Sequence, residues 1–307
     1  MENTLQNLII LTSPPASGKT FWIASLKEAL GETKILVISP LRALADECRA
    51  RWGDTIQVIT PEEWPNKKYI CDVIIVDEFH LFFYWGDTFR PLMWEIFFEV
   101  SLKAPLTILL TATLSTEMVE EIKHFKSQFD SILWIDQGNQ RLKFKPQKYV
   151  MAKSRAWLLK LILQQKKDQL PKLIFCKFRN EVFEMEKKLL RQGFSCITCV
   201  GGESKFMSER LKSQPNPDFI ISTTVLSHGV NLPKIEKLFF TYKVENPDLW
   251  IQMVARGGRK GEEFQVFALE EPIGLFWSSW KNAYDLMLVD LQVRWTSFFS
   301  LKSIDFF

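Results

Sequence analysis

Short, uninterrupted apolar runs alternate along this chain with stretches whose apolar positions recur at helical spacing. Continuous runs bounded by turn residues mark strands buried on both faces, and their alternation with helices marks parallel α/β units. In the first half the runs are Leu8 to Thr12, Ile35 to Ser39, Ile56 to Thr60, Val73 to Val76, Leu106 to Leu110 and Ile132 to Ile135. In the second they are Lys172 to Cys176, Ser195 to Cys199, Phe219 to Ser222, Lys237 to Tyr242 and Phe264 to Ala268. Helical periodicity is expected at Phe21 to Leu30, Arg155 to Gln165 and Trp277 to Trp295. Each half therefore holds enough strands for a sheet of its own.

At 307 residues the chain has room for two domains of ordinary size. The expected division is a first α/β domain at 1–147, a second at 148–270, and an aromatic-rich helical extension at 271–307, with a hinge around Phe144 to Met151. Apolar residues at 47% and charged residues at 24% suit two buried cores in a soluble protein. No apolar run approaches the roughly 20 residues that span a bilayer, and the N-terminus lacks the basic start of a signal peptide. A cytoplasmic address, with no membrane contact, is the expectation. The cysteines Cys48, Cys71, Cys176, Cys196 and Cys199 have no framework spacing, as expected where thiols stay reduced. Cys196 and Cys199 lack the second pair a zinc site would need and read as strand residues.

A net charge of +3 is small for a nucleic-acid binder, so such binding would have to come from locally placed Lys and Arg and from backbone donors. Arg141 to Lys172 concentrates ten basic residues against one acid. That stretch reads as a solvated face plus an amphipathic helix rather than a nucleic-acid track.

The chemistry-bearing residues fall at strand ends. The run Leu8 to Thr12 leads into Ser13-Pro14-Pro15-Ala16-Ser17-Gly18-Lys19-Thr20 and then a helical stretch, an arrangement in which backbone N–H groups and a helix N-terminus surround an anion. Lys19 would reach the β and γ phosphates of ATP, and Thr20 would hold Mg²⁺. Ser13 stands where the motif has its first glycine, while Gly18, where the backbone crowds the phosphates, is present. Val73 to Val76 delivers Asp77 and Glu78 beside this loop if the two strands share a parallel sheet. Asp77 would hold Mg²⁺ through water, and Glu78 would polarise the attacking water as a general base. His80, three positions past Asp77, is placed to pass the state of the phosphates to a neighbouring domain.

With these fragments in order, the chain resembles a superfamily 2 helicase of the DExH kind, with motifs running from Ser13 to Arg259 and nearest to the processive subgroup. The resemblance implies two tandem RecA-like domains and an ATP-dependent motor that unwinds or tracks single-stranded DNA or RNA as a monomeric core. Ser39 to Glu47 and Thr60-Pro61-Glu62 are similar to motifs Ia and Ib, implying nucleic-acid backbone contacts through Pro40, Arg42 and Thr60. Thr111-Ala112-Thr113 is similar to motif III, which implies that Thr111 and Thr113, with His80, link hydrolysis to domain movement. Leu173 to Arg179 looks like motif IV. Ile221 to Pro233 looks like motif V, and the two together imply nucleic-acid contacts at Arg179, Thr223 and Thr224 and nucleotide contacts at Gly229 and Asn231. Gln252 to Arg259 looks like motif VI, with Ala255 replacing the usual glycine; it implies catalytic roles for Gln252, Arg256 and Arg259, the two arginines meeting the γ-phosphate when the domains close.

Departures from the family pattern temper this picture. Only twelve residues precede the loop, leaving no room for the adenine-reading glutamine motif, and the span from Pro233 to Gln252 leaves no room for a strand-separating hairpin. Weak base selectivity and translocation rather than vigorous unwinding are therefore expected, with binding that is sequence-independent and salt-sensitive. The aromatics Phe276, Trp277, Trp280, Tyr284, Trp295, Phe298 and Phe299 are expected to pack on the second domain. The terminal Ser303-Ile304-Asp305-Phe306-Phe307 resembles tails that engage a sliding clamp, and an ordinary packed or frayed end is the plainer reading. The alternative function is an ATP-gated module that recruits a partner through its C-terminal aromatic surface. A P-loop kinase would have no use for Thr111-Ala112-Thr113 or the arginine pair.

Overall fold

The computed structural model describes residues 6–66, 69–86, 90, 92–124, 126–167, 169–201, 204–227 and 231–269. They form two compact units, the chain dividing between Arg141 and Leu142. The expected C-terminal helical extension and its tail lie outside the described residues.

The first unit runs β1 (Asn7–Thr12), α1 (Lys19–Leu30), β2 (Ile35–Ile38), α2 (Arg42–Trp52), β3 (Gln57–Ile59), a 3₁₀ turn (Pro61–Asn66), β4 (Val73–Val76), α3 (Phe79–Gly86), α4 (Leu92–Ser101), β5 (Leu106–Thr111), α5 (Thr116–His124) and β6 (Ser131–Asp136). Its strands form a wholly parallel sheet in the order β3-β2-β4-β5-β1-β6. The apolar runs are continuous because each strand feeds two cores. Ile74, Val76, Leu36 and Ile38 join one face, with Phe79, Phe82, Met93 and Phe97 from α3 and α4. Val73, Ile75, Ile35 and Val37 join the other, with Ile23 of α1 and Ala45 and Cys48 of α2. This alternation is the period of two expected of a pleated strand covered on both sides.

The second unit repeats the plan with β7 (Lys148–Met151), α6 (Arg155–Leu163), β8 (Lys172–Phe175), α7 (Arg179–Arg191), β9 (Cys196–Cys199), α8 (Ser204–Ser213), β10 (Phe219–Ser222), a 3₁₀ turn (Thr224–Ser227), β11 (Lys237–Phe240), α9 (Pro247–Val254) and β12 (Gln265–Ala268). The parallel order is β7-β12-β11-β8-β10-β9. Leu173, Phe175, Leu238 and Phe240 face one core, and Ile174, Phe219, Ile221 and Phe239 the other.

Two local expectations change, and the expectation for Cys196 and Cys199 holds. The hinge placed at Phe144 to Met151 is instead committed structure, since Leu142 and Phe144 pack against the second core and Lys148–Met151 is an edge strand paired with β12. Lys172, counted with a solvated face, is fully buried; its Nζ donates to the Lys166 carbonyl at 3.0 Å and lies 5.5 Å from the Phe219 ring centroid. Cys196 and Cys199 are the first and last residues of β9, with burial pushing the Cys196 thiol up to about 12.

Candidate functional site

The loop after β1 is shaped by its backbone. Gly18, the N-cap of α1, sits at φ 98°, a left-handed conformation that favours glycine, and Ala16 holds φ 61° without that freedom. Ser13 N–H donates to the Thr111 carbonyl at 3.1 Å, tying the loop to β5, and the Ser13 and Ser17 hydroxyls lie 2.9 Å apart. The serine that replaces a glycine therefore braces the loop across its mouth. Lys19 Nζ lies 3.5 Å from the Ser13 carbonyl, and Pro14 accepts from Ser17 N–H at 3.2 Å. A pocket of about 250 Å³ opens here, lined by Ser13, Ser17, Gly18 and Lys19 and walled by Phe21, Trp22 and Gln137. Pro15 is buried in this loop and Thr20, half-buried, is the second residue of α1.

Asp77 and Glu78 do stand beside the loop, with β5 interposed between β4 and β1. Asp77 N–H donates to the Ile38 carbonyl at 2.9 Å, and Asp77 Oδ1 accepts from Glu78 N–H at 2.9 Å. Glu78 is held at φ 47°, a costly conformation for a non-glycine residue. Burial, then the charge of Glu78, pushes the Asp77 carboxyl up to about 7 against the pull of Lys19. A buried carboxyl held that high is short of positive charge, and a hydroxyl plus carboxylate oxygens form a hard donor set, so Thr20 and Asp77 fit a Mg²⁺ ion.

The interposed strand explains the third fragment. His80 is buried, and burial lowers it to about 4 despite the charge of Glu78, so the ring is neutral. Its Nδ1 lies 3.1 Å from Thr111 Oγ1 and 3.5 Å from Glu78 Oε2. Thr111 Oγ1 donates to the Thr113 carbonyl at 2.8 Å and accepts from Thr113 N–H at 3.1 Å. Because the Thr111 hydroxyl spends its hydrogen on Thr113, Nδ1 of His80 is assigned as the donor to Thr111. Half-buried Glu78 and buried His80, Thr111 and Thr113 thus form one polar chain.

The carboxyl ends of β2 and β3 gather a second group. Arg42, the first residue of α2, is exposed. Thr60 is buried, and its N–H donates to Glu63 Oε2 at 2.6 Å, so that donor serves the turn and leaves nothing for a phosphate. Pro40 is buried, and its carbonyl accepts from Arg90 Nη1 at 2.8 Å. Glu62 pairs with Arg90; Glu63 pairs with Arg49 Nη2 at 2.5 Å, whose Nε donates to the Val58 carbonyl at 2.9 Å. The guanidiniums of Arg49 and Arg90 carried no local sequence signal, although two acids beside an expected phosphate track call for compensating cations.

In the second unit Arg179 is exposed at the start of α7, and Thr223 and Thr224, half-buried, follow β10, the neighbour of β8. Ser222↔Phe175 register brings these ends together at the point where the strand order reverses, the position at which open α/β sheets bind ligands. Asn231 is exposed, and Gly229 lies outside the described residues. In α9, capped by Asn246 accepting from Leu249 N–H at 2.9 Å, Gln252 is buried, and Arg256, just past the helix, is buried too. Arg259 is half-buried and its Nε donates to the Ala255 carbonyl at 2.9 Å. Gly257 has no space for a side chain, since a Cβ there would stand 2.3 Å from the Phe264 ring.

Residues 153–261 match the family model of the helicase conserved C-terminal domain. No curated protein matches the sequence. Among solved structures, the chain is similar to S. cerevisiae Dbp5 bound to RNA and ADP BeF3, with a TM-score of 0.70 at 13% identity over 90% of this chain and 82% of that one. It is also similar to a variant of S. cerevisiae Dbp5 bound to a variant of Gle1 and IP6, with a TM-score of 0.63 at 15% identity over 90% and 80% of the two chains. The fold is therefore the tandem RecA-like arrangement of parallel-sheet domains. Among the described residues no helix is long and apolar enough to cross a membrane.

Proposed function

We propose that this protein is an ATP-dependent nucleic-acid motor of superfamily 2, of the DExH kind, acting on single-stranded DNA or RNA. The observation that carries the reading is the convergence, at the carboxyl ends of β1, β5 and β4, of the Gly18–Lys19 loop, the Asp77–Glu78 pair and the His80–Thr111 hydrogen bond. The match of residues 153–261 to a helicase C-terminal domain supports the same reading independently.

In this reading the loop amides and Lys19 grip the phosphates, and Glu78 orients and deprotonates the attacking water. Thr20 and Asp77 would hold Mg²⁺, which when bound neutralises charge on the terminal phosphates. Arg256 and Arg259 are the proposed arginine fingers. The chain Glu78–His80–Thr111–Thr113 would report nucleotide state, because a shift of Glu78, whose Oε2 lies 3.5 Å from His80 Nδ1, would disturb the buried His80–Thr111 hydrogen bond. Arg42, Arg179, Thr223 and Thr224 are the proposed contacts to the strand backbone, giving binding without base readout.

The test is ATP turnover with and without single- and double-stranded RNA and DNA, repeated across salt, with Lys19→Ala as the control. RNA is the first strand to try because the similar yeast structure holds RNA. Stimulation by single strands that fades as salt rises is expected. Turnover that no nucleic acid changes would refute the motor and favour an ATP-gated interaction module.

A further inference from the structure

Arg90 touches three chain segments at once, and none of the chemistry proposed above uses it. Its Nη1 donates to the Pro40 carbonyl at 2.8 Å, on the loop between β2 and α2, and its Nη2 pairs with Glu62 on the 3₁₀ turn after β3. Its guanidinium carbon lies 5.4 Å from the centroid of the Trp85 ring on α3, and its own N–H donates to the Trp85 carbonyl at 2.8 Å. Helix α3 begins at Phe79, directly after Glu78, and carries His80. One guanidinium therefore bridges the helix that grows out of the candidate nucleotide site and the two loops at the candidate nucleic-acid edge.

We propose that Arg90 is a positioning residue that couples the two sites of the first unit, holding the Pro40 loop and the Thr60–Glu63 turn in register with α3. The inference rests on the motor reading and adds a route to it. Three features make this residue suited to the role. A planar guanidinium supplies divergent donors in fixed geometry, which a lysine ammonium on a flexible stem does not reproduce. The Trp85 ring beneath it fixes the side chain to α3. Glu62, one residue from Pro61 on the edge where phosphates would pass, would repel them if left unpaired. Burial alone would raise its carboxyl, but the hydrogen bond and charge of Arg90, with a backbone hydrogen bond and the Thr60 hydroxyl, together outweigh burial and hold it below the ordinary range. A displacement of α3 set by Glu78 and His80 would thus reach both loops through a single residue. Nucleic acid on those loops would by reciprocity bias the nucleotide site.

The full-length chain tests this with a fluorescent oligo(U) or oligo(dT) strand, titrated with no nucleotide and with a non-hydrolysable ATP analogue, alongside ATP turnover. In the wild type the two affinities should differ, typically by 5- to 150-fold for coupled sites. In Arg90→Ala that ratio should collapse towards one, and the strand concentration for half-maximal stimulation should rise about tenfold, as for loss of a charge-assisted hydrogen bond. Turnover without nucleic acid and KM for ATP should be unchanged, a split that general unfolding would not produce. Arg90→Lys should behave like Arg90→Ala. Adding Glu62→Gln to Arg90→Ala should restore affinity, by removing the bare carboxylate, but not the nucleotide dependence. An Arg90→Ala protein that keeps the wild-type ratio, or an Arg90→Lys protein that fully restores it, would overturn the inference while leaving the motor intact. A wild type that no strand stimulates would instead sink the motor reading itself.

Discussion

Replacing Asp77 with asparagine should stabilise the nucleotide-free first unit at pH 8 and leave it nearly unchanged at pH 4. Asp77 is 6% exposed, and its carboxyl is pushed up to about 7 from an ordinary 3.8 by burial and by Glu78. Between those values the folded protein keeps a proton that the unfolded chain releases, so stability is lost as pH rises through the window. At about 1.4 kcal/mol per pH unit the loss has a ceiling of about 4 kcal/mol, and relaxation of Lys19 and water around the ionised carboxylate keeps it below that ceiling. His80 acts in the opposite sense. Burial lowers it from 6.5 to about 4, so the unfolded chain gains a proton first and stability is lost as pH falls through that range. In the wild type the two slopes oppose each other between about pH 4 and 6.5. Asparagine keeps the Oδ1 acceptor for Glu78 N–H and removes the charge, so only the histidine slope remains and stability of the variant should climb with pH across the window. Calorimetry that resolves the first unit's transition should show a gain of several degrees at pH 8, at roughly 2–4 °C per kcal/mol for a unit of this size. A variant less stable than the wild type at pH 8, or a gain equal at both pH values, would refute the reasoning.

Glu78→Gln should lower ATP turnover by about 10² to 10⁴, the range of a positioned general base, while nucleotide binding followed by fluorescence is retained; turnover within a factor of a few of wild type would remove Glu78 from that role. Arg259→Ala should reduce turnover by about 10³ to 10⁵ with little change in the second unit's melting, measured by single-turnover hydrolysis. Gly257→Ala should destabilise the second unit by about 1–3 kcal/mol, because its Cβ would meet the Phe264 ring and the core there is closed. Urea unfolding should show that loss, and Phe264→Leu in the same chain should recover part of it.

The strands were legible because their burial on both faces leaves a plain signature, as in Val73–Val76 and Phe219–Ser222, where every residue is buried. Lys148–Met151 escaped because an edge strand has exposed positions, and its Lys-Tyr-Val-Met run just after Pro146 reads as linker. The phosphate loop and the Asp77–Glu78 pair were legible for a different reason, since their chemistry is carried by neighbours in sequence. What sequence could not offer was the clamp at the other edge. Arg90 reaches back 50 positions to Pro40 and 28 to Glu62, and no periodicity links residues so far apart. Thr60 shows the converse limit: its place in a motif says nothing of its own backbone N–H, which the fold gives to Glu63.

The departures from local rules are unevenly distributed. Glu78 at φ 47°, Ala16 at φ 61° and the buried Asp77 all lie at the carboxyl ends of β4 and β1, and each costs stability that neighbouring strands must offset. At the β2 and β3 ends, by contrast, Glu62 and Glu63 each have a guanidinium, and Glu63 also accepts from Thr60 N–H. A ligand that relieves strain and supplies positive charge therefore has more to gain at the first edge than at the second. Mg²⁺ with ADP should raise the first unit's transition more than a saturating single strand does, and should erase the pH 8 advantage of Asp77→Asn, since only the wild type keeps the carboxylate that the ion neutralises. If the single strand stabilised more than the nucleotide, or if the variant kept its advantage with Mg²⁺ and ADP bound, then the strained edge would not be where the nucleotide binds.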